Sequence, residues 1–157
     1  RAALDFLRPD ESTAVLDLYC GLGSTLAAWR RAGAMALGVE LSGEAVQFAA
    51  RNATGAAVLR GTCVQRLPQV LDWWGRQPPR RLAYVNPPRS GLEPELIDAL
   101  AGPLRPERIA YLSCSAGTLA HDLRALEASG YAVRAILPFD FFPMTHHVEA
   151  LALAERN

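Results

Sequence analysis

The chain has 157 residues, half of them hydrophobic and a fifth charged, which is typical of one soluble globular domain with its own core. No apolar run is long enough to span a bilayer, so a membrane partner is not expected. Three widely spaced cysteines form no C-x-x-C pair, which favours a reduced, cytoplasmic protein without a metal site. The chain starts on Arg1 with neither Met nor a signal peptide, and we interpret residues 1–157 as one domain of a longer protein.

Strand-like apolar runs alternate with helical patterns along the chain. In chain order the sequence predicts a strand at 14–18, a helix at 25–32, a strand at 35–40, a helix at 43–53, a strand at 57–60, a helix at 63–74, a strand at 82–86, a helix at 94–100, a strand at 108–112, a helix at 118–129 and two final strands at 132–138 and 148–154. This alternation is typical of an α/β fold with a Rossmann-like, mostly parallel seven-stranded sheet covered by helices on both faces. No helix separates the last two strands, which predicts an antiparallel last strand.

The first predicted strand runs into a glycine turn, with the sequence DLYCGLGS at residues 17–24. Glycines let a backbone approach a ligand closely, and open α/β sheets bind ligands at the carboxyl ends of their strands. Glu40 ends the second strand, close to the spacing at which an acidic residue receives ribose hydroxyls in such folds. The turn lacks the third glycine of a dinucleotide-binding turn, which favours S-adenosylmethionine over NAD. A plain strand-to-helix turn is the alternative.

Three further polar residues fall at the same predicted edge of the sheet. Cys114 ends the fifth strand beside the N-terminus of a helix, which favours the reactive thiolate, although a lone cysteine is more commonly a small buried hydrophobic residue. Asn86 opens the segment NPPR at residues 86–89, which is either a rigid proline turn or a stiff pocket wall with a polar group near a methyl donor. Glu149 starts the last strand and is either solvated or a general base.

Four ordered segments give the chain a resemblance that covers nearly its whole length. They are DLYCGLG at 17–23, NPPRSG at 86–91, SC at 113–114 with TLA at 118–120 and DL at 122–123, and FPMT at 142–145 with HVE at 147–149. Together they resemble the uracil-C5 RNA methyltransferases, which modify tRNA or ribosomal RNA. The resemblance implies a class I S-adenosylmethionine-dependent methyltransferase fold, S-adenosylmethionine as cofactor and RNA as substrate.

By this resemblance, Cys114 is the nucleophile that adds to C6 of uridine, and Glu149 is the general base that acts after methyl transfer. The implied cofactor site combines the glycine turn with the ends of two further strands: Asp17, Tyr19, Gly21, Gly23, Ser24, Glu40 and Asn86. The chain departs from many members at Ser115 and Ala116, where Asn-Pro is common, and at Asn86, where Asp is common. The family's N-terminal RNA-binding part, which sometimes carries an iron–sulfur cluster, is expected to lie outside this chain.

The formal net charge of zero is unusual for an RNA enzyme, because contacts with phosphates supply much of the affinity for RNA. We therefore expect RNA affinity to lie largely outside this chain, or its sixteen basic residues to gather on one face. Two other functions stay open: a class I methyltransferase that acts on amino nitrogen or a small molecule, and a cofactor-binding domain without catalytic activity. A methyltransferase that acts on amino nitrogen or a small molecule needs no cysteine nucleophile, so a covalent adduct with RNA would distinguish it. The presence of both Cys114 and Glu149 argues against a domain without catalytic activity.

Overall fold

The computed structural model describes residues 1–140 and 148–157 of the chain. In chain order these residues form α1 (Ala2–Leu7), β1 (Thr13–Leu18), α2 (Ser24–Arg31), β2 (Met35–Glu40), α3 (Gly43–Asn52), β3 (Ala57–Arg60), α4 (Cys63–Gly75), β4 (Arg80–Val85), α5 (Pro94–Ala101), β5 (Arg108–Ser113), α6 (Ala116–Ala128), β6 (Tyr131–Phe139) and β7 (Glu149–Arg156). Every predicted strand and helix is present, whereas α1 was not predicted. That helix has six residues and no side-chain cap, and it packs through the buried Leu7. None of the helices described is long and apolar enough to cross a bilayer.

The strands form one seven-stranded sheet in the order β3-β2-β1-β4-β5-β7-β6. The pairs among β1 to β5 are parallel, and β7 is antiparallel to both β5 and β6. The predicted α/β fold with a mostly parallel sheet and an antiparallel last strand is therefore confirmed. Because β7 lies between β5 and β6, the carboxyl end of β5 lies beside the amino end of β7.

Helices cover both faces of the sheet, and each face has its own hydrophobic core. In β1, Leu16 and Leu18 belong to the core on the side of α4, α5 and α6, whereas Val15 belongs to the core on the side of α1, α2 and α3. Every residue of β1 is buried, as expected for a central strand that is covered on both faces. Ligand sites in such a fold lie outside the core, at the carboxyl edge of the parallel strands.

Candidate functional site

Two neighbouring cavities lie at the carboxyl edge of the parallel strands. The Glu40 cavity, of about 160 Å³, lies at the ends of β2 and β3 and is lined by Tyr19, Val39, Glu40, Leu41, Gly61, Thr62, Cys63, Pro88 and Glu93. The glycine-turn cavity, of about 250 Å³, lies between the turn after β1 and the end of β4 and is lined by Tyr19, Cys20, Gly21, Leu22, Ser24, Thr25, Tyr84 and Asn86. Tyr19 lines both, so the two cavities adjoin each other at this residue.

A third cavity, the apolar cavity, adjoins the glycine-turn cavity on the face of the sheet that α1 and α2 cover. It measures about 400 Å³ and is lined mostly by nonpolar side chains: Arg1, Ala2, Ala3, Leu4, Ser24, Thr25, Ala28, Trp29, Tyr84, Leu112, Phe139 and Leu151. Ser24, Thr25 and Tyr84 line both cavities. The three cavities therefore adjoin one another in a row from the end of β2 to β5 and β7, and this row is called the groove.

The turn between β1 and α2 is shaped by two glycines with positive φ. Gly21 has a φ of 52° and Gly23 a φ of 80°. A Cβ on Gly23 would lie 2.7 Å from the Cα of Ala49 in α3, so this glycine is needed for α2 and α3 to pack closely. A Cβ on Gly21 would meet no atom within 4 Å. The space beside Gly21 is therefore open to a ligand, as the prediction of a cofactor turn requires.

Glu40 holds the glycine turn in place from the end of β2. Its Oε2 accepts a hydrogen bond of 3.0 Å from the backbone N–H of Gly21, and its Oε1 accepts one of 2.7 Å from the backbone N–H of Ser42. A carboxylate has further lone pairs, so Glu40 keeps acceptor capacity toward the cavity that it lines. The acidic residue predicted to receive ribose hydroxyls is therefore in a position to do so.

Tyr19 adopts a left-handed conformation, with a φ of 61°, which is uncommon in a non-glycine residue. Its hydroxyl donates a hydrogen bond to Oε2 of Glu93, which lies just before α5. Burial, followed by this hydrogen bond, raises the pKa of Tyr19. The hydrogen bond fixes the Tyr19 side chain where the two cavities adjoin. Glu93 is not recognisable as a site residue from the sequence, because an acidic residue before a helix has no local feature that points to a site.

Asp17 lies behind the glycine turn, and its side chain lines none of the three cavities. It is fully buried in β1, and its Oδ2 accepts a hydrogen bond of 2.7 Å from the indole N–H of Trp29 in α2. Burial raises the pKa of Asp17 to about 7, although the Thr25 and Trp29 side chains act in the opposite direction. The structure therefore gives this predicted cofactor residue a supporting position, which anchors α2 beneath the turn.

We expect Asp17 to make the chain less stable as the pH rises. Because its pKa is 3.8 in the unfolded chain and about 7 in the folded chain, the folded chain binds the extra proton between these values. The free energy of unfolding should therefore fall between about pH 4 and pH 7, by up to about 4 kcal/mol, and stay low above that range. Asp17→Asn, which keeps an acceptor for Trp29, should stabilise the chain at about pH 8.5 and have little effect at about pH 4.5. Urea unfolding measures both values, and an effect independent of pH would contradict the prediction.

Ser24 and Asn86 lie on two sides of the glycine-turn cavity. Ser24 is the exposed first residue of α2, directly after Gly23. Asn86 follows β4 with an exposed side chain, and its backbone N–H donates a hydrogen bond of 3.2 Å to the carbonyl oxygen of Leu18. Both predicted cofactor residues therefore present polar side chains to the groove.

Cys114 is exposed between the end of β5 and the start of α6, whereas Cys20 and Cys63 are buried. Burial raises the pKa of each of these two buried thiols to about 12. The turn that carries Cys114 is closed by its neighbours: the backbone N–H of Ser115 donates to Oγ of Ser113 over 3.1 Å, and that hydroxyl lies 3.0 Å from the carbonyl oxygen of Ser115. Helix α6 begins at Ala116, two residues before the predicted start, so its N-terminus is closer to the thiol than expected.

The antiparallel pairing of β5 and β7 brings the start of β7 beside the end of β5. The last pair of the ladder is Ser113 with Ala150, and Cys114 and Glu149 are the next residue on each side of that pair. Opposed residues in such a ladder have Cα atoms about 4.5–5.5 Å apart, so Glu149 lies near the turn that carries Cys114. On its other side Glu149 pairs with Phe139, which lines the apolar cavity. Paired residues face the same side of a sheet, so the half-buried Glu149 faces the side of the groove.

Residues 142–145 and 147 of the fourth motif lie outside the described residues, as do Phe141 and Phe142 of the aromatic stretch before β7. Within residues 1–140 and 148–157, no three or more His, Cys, Asp or Glu side chains are arranged to hold a metal ion.

The sequence is similar to known methyltransferases along its whole length. The sequence profile of a family described as tRNA (Uracil-5-)-methyltransferase matches residues 80–157. The chain is 36% identical over 156 residues to an uncharacterized RNA methyltransferase of Halalkalibacterium halodurans, a match that covers 98% of this chain and 34% of the relative. It is 35% identical over 144 residues to an uncharacterized RNA methyltransferase of Caldanaerobacter subterraneus, with 90% of this chain and 32% of the relative covered. The chain therefore spans about a third of the length of these curated relatives.

Solved structures share the fold. The crystal structure of Pyrococcus abyssi tRNA (uracil-54, C5)-methyltransferase in complex with S-adenosyl-L-homocysteine matches with a TM-score of 0.73 and 26% identity, over 98% of this chain and 38% of that one. The precorrin-6y C5,15-methyltransferase of Geobacter metallireducens matches with a TM-score of 0.74 and 18% identity, over 99% and 86% of the two chains, which shows a common fold alone. The predicted class I S-adenosylmethionine-dependent methyltransferase fold is therefore confirmed.

Proposed function

We propose that this chain, which belongs to the family of uracil-C5 RNA methyltransferases, is the catalytic domain of an enzyme that transfers a methyl group from S-adenosylmethionine to C5 of a uridine in tRNA or ribosomal RNA. The observation that carries the proposal is the register of β5 and β7, whose last pair, Ser113 with Ala150, adjoins Cys114 and Glu149. The other end of the same groove holds the glycine turn and Glu40. One edge of the sheet thus combines a nucleophile, a base and a site for a nucleoside.

The first two cavities of the groove fit S-adenosylmethionine. We assign the ribose hydroxyls to Glu40 and the adenine ring to the Glu40 cavity, which is lined by nonpolar as well as polar side chains. The amino-acid end belongs in the glycine-turn cavity, where Ser24 and Asn86 offer polar atoms and Gly21 leaves room for a ligand. The cofactor, when bound, supplies a methyl group on a positively charged sulfur.

The apolar cavity is the place that we assign to the uracil ring. It adjoins the glycine-turn cavity through Tyr84, and it is lined by Leu112 and Leu151. These two leucines lie two residues along their strands from Cys114 and Glu149, respectively, so the cavity opens near the two reacting side chains. A base inside an RNA structure must leave the stack before an enzyme can act on its ring atoms, and aromatic and apolar walls suit the extruded base.

Cys114 supplies the electrons that make C5 of uracil reactive. Its thiolate forms a bond from Sγ to C6, and the electron pair of the C5–C6 π bond moves into the ring as an enolate, so that C5 can take the methyl group. Such covalent catalysis splits one difficult step into easier ones. The exposure of Cys114 and its position before the N-terminus of α6 suit this step, because a helix N-terminus favours the thiolate.

Glu149 completes the reaction after methyl transfer, when C5 carries both the methyl group and a hydrogen. The carboxylate removes this hydrogen as a proton. The C–H electron pair re-forms the C5–C6 double bond as the bond between Sγ and C6 breaks, and Cys114 leaves as a thiolate with that bond's electron pair. A carboxylate positioned beside the nucleophile suits this general-base step.

The arginines of this chain do not concentrate at the groove. Several lie at the opposite edge of the sheet, near the starts of the parallel strands: Arg8, Arg80, Arg81, Arg105, Arg108 and Arg156. Arg80 forms an ion pair with Asp10 over 2.7 Å, and Arg108 forms one with Glu155 over 2.9 Å. This arrangement supports the proposal that residues 1–157 are one catalytic domain and that RNA is held largely by another part of a longer protein.

We therefore expect this chain alone to bind RNA more weakly than the full-length protein, by at least about tenfold. Phosphate contacts make RNA affinity fall with salt, so the full-length protein should also show the steeper dependence of log affinity on log salt. Filter binding of both proteins to the same RNA across a salt series measures the two quantities. Equal affinity and equal slope would place the RNA contacts in this chain.

We expect Glu40→Ala to weaken binding of S-adenosylhomocysteine by at least about tenfold, or about 1.4 kcal/mol. The substitution removes the acceptor for the ribose hydroxyls and also releases the hydrogen bond from Gly21. Calorimetry measures the dissociation constant, and Glu44→Ala is the matched control, because it removes an exposed carboxylate from the first turn of α3. Unchanged binding in Glu40→Ala would show that Glu40 holds the glycine turn and does not bind the cofactor. The full-length protein should be measured alongside.

The experiment that tests the proposed function uses the full-length protein and RNA from cells that lack its gene. Incubation with S-adenosylmethionine should produce 5-methyluridine in nuclease digests of that RNA. Transcripts that contain 5-fluorouridine should trap a protein–RNA species that survives denaturing electrophoresis, because a fluorine at C5 cannot be removed as a proton. Methylation of an amino nitrogen without a covalent species would favour the alternative class of methyltransferase. Binding of cofactor without any methylation would favour a domain without catalytic activity.

A further inference from the structure

The buried carboxylate of Asp122 in α6 links two sides of the groove. Asp122 is 3% exposed, and its Oδ2 accepts two hydrogen bonds, one of 2.9 Å from the backbone N–H of Leu92 and one of 2.7 Å from the hydroxyl of Tyr111. We propose that Asp122 is a positioning residue, which fixes the loop of residues 86–92 relative to Cys114. The proposal rests on the proposed function in one respect, namely that Cys114 is the reacting thiol.

On one side, α6 holds the loop that begins at Asn86. Gly91 has a φ of 81°, and a Cβ on it would lie 2.7 Å from Oδ2 of Asp122, so the loop backbone lies directly on the carboxylate. One helical turn earlier, Oγ1 of Thr118 lies 3.2 Å from the carbonyl oxygen of Arg89. Two side chains of one helix thus contact the same loop.

On the other side, the same helix holds the strand and the turn that carry the thiol. Tyr111 is a fully buried residue of β5, three positions before Cys114, and its hydroxyl is bonded to the same oxygen that accepts from the loop. Oγ1 of Thr118 also lies 3.2 Å from the carbonyl oxygen of Ser115, which follows Cys114. One carboxylate oxygen therefore joins the Asn86 side of the groove to the Cys114 side.

This placement matters for the rate, because misplacement of reacting groups by about 1 Å can cost about 100-fold. Without the carboxylate, the N–H of Leu92 and the hydroxyl of Tyr111 are buried donors without their acceptor, and the loop must shift for them to find another. The same loop lines both cofactor cavities, through Pro88 and Asn86, so its shift should also weaken cofactor binding. The defect specific to Cys114 is therefore the one that remains when S-adenosylmethionine is saturating.

Two substitutions separate this role from simple helix packing. Asp122→Asn can place its side-chain oxygen at the position of Oδ2 and turn its amide toward Nδ1 of His121, which lies 3.1 Å from Oδ1, so both hydrogen bonds survive. Asp122→Leu has a similar size and offers no acceptor. Leu126→Ala is the packing control, because Leu126 is fully buried on the same helix and takes no part in the hydrogen bonds that Asp122 accepts from Leu92 and Tyr111.

The test measures the single-turnover rate of adduct formation with 5-fluorouridine RNA, the affinity for S-adenosylhomocysteine and the Tm of each variant of the full-length protein. Asp122→Asn should react within about threefold of the wild type. Asp122→Leu should react about 100-fold more slowly at saturating S-adenosylmethionine. The control Leu126→Ala should keep the wild-type rate of adduct formation even if its Tm falls as far as that of Asp122→Leu. Equal rate losses in Asp122→Leu and Leu126→Ala, or in Asp122→Leu and Asp122→Asn, would overturn the proposal.

If Asp122→Leu does not fold, Tyr111→Phe and Gly91→Ala take its place, because the first removes one hydrogen bond and the second pushes the loop away from the carboxylate. Wild-type adduct rates in both would overturn the proposal. Amide hydrogen exchange at Leu92 gives a readout that needs no reaction. Faster exchange in the Asp122 variant than in Leu126→Ala supports the link between the loop and α6. If the wild type forms no adduct, that result refutes the proposed function and leaves this link standing.

Discussion

Replacement of Cys114 by alanine is expected to abolish both methylation and covalent trapping of RNA in the full-length protein. The reason is chemical: without the bond from Sγ to C6, the ring has no enolate, and C5 stays too weak a nucleophile to take the methyl group. The buried Cys20 and Cys63 cannot replace the exposed thiol, because burial raises the pKa of each to about 12 and keeps it in the unreactive thiol form. The measurement combines 5-methyluridine in RNA digests with gel analysis of the 5-fluorouridine adduct.

Cys114→Ser is the matched control for size and polarity. It keeps a small polar side chain at the same position, yet a hydroxyl is a far weaker nucleophile at neutral pH than a thiolate, so it should be as inactive as Cys114→Ala. Both variants should bind S-adenosylhomocysteine like the wild type, because Cys114 lines neither cofactor cavity. Activity retained in Cys114→Ala would refute the covalent mechanism and favour a methyltransferase that acts on amino nitrogen or a small molecule.

Glu149→Gln is expected to separate methyl transfer from product release. Addition of Cys114 and methyl transfer precede the step assigned to Glu149, so the variant should still attack uridine. Loss of a general base typically slows its step about 100-fold to 10,000-fold. A protein–RNA species that carries radiolabelled methyl should therefore accumulate and survive denaturing electrophoresis, while free methylated RNA appears slowly.

Glu155→Gln is the control for this experiment, because Glu155 lies at the far end of the same strand and pairs with Arg108 over 2.9 Å. The control makes the same chemical change away from the groove, and it should turn over normally without a labelled adduct. If Glu149→Gln turned over normally as well, the base would be another group, with His147 the next candidate. An adduct without label in Glu149→Gln would instead place the defect before methyl transfer.

Local patterns in the sequence determined most of the elements. Each strand predicted from its apolar run is present, because strands that are buried on both faces of a sheet are rich in hydrophobic residues, as β1 is apart from Thr13 and Asp17. The glycine turn was also predictable, because residues 21 and 23 have positive φ and glycine adopts this conformation without steric cost. Helix α1 was missed, because six residues without a capping side chain carry little local signal and the helix depends on packing.

The sequence by itself named the residues of the candidate site, while the tertiary structure decided which of them meet. Cys114 and Glu149 are 35 positions apart, and only the insertion of β7 between β5 and β6 brings the start of β7 beside the end of β5. Asp17 shows the converse, because its place in the glycine motif does not reveal that its carboxylate points into the core toward Trp29. The contacts of Tyr19 with Glu93 and of Asp122 with Leu92 and Tyr111 were equally invisible. Spacing along a chain fixes local geometry, whereas contacts between distant segments depend on strand order and packing.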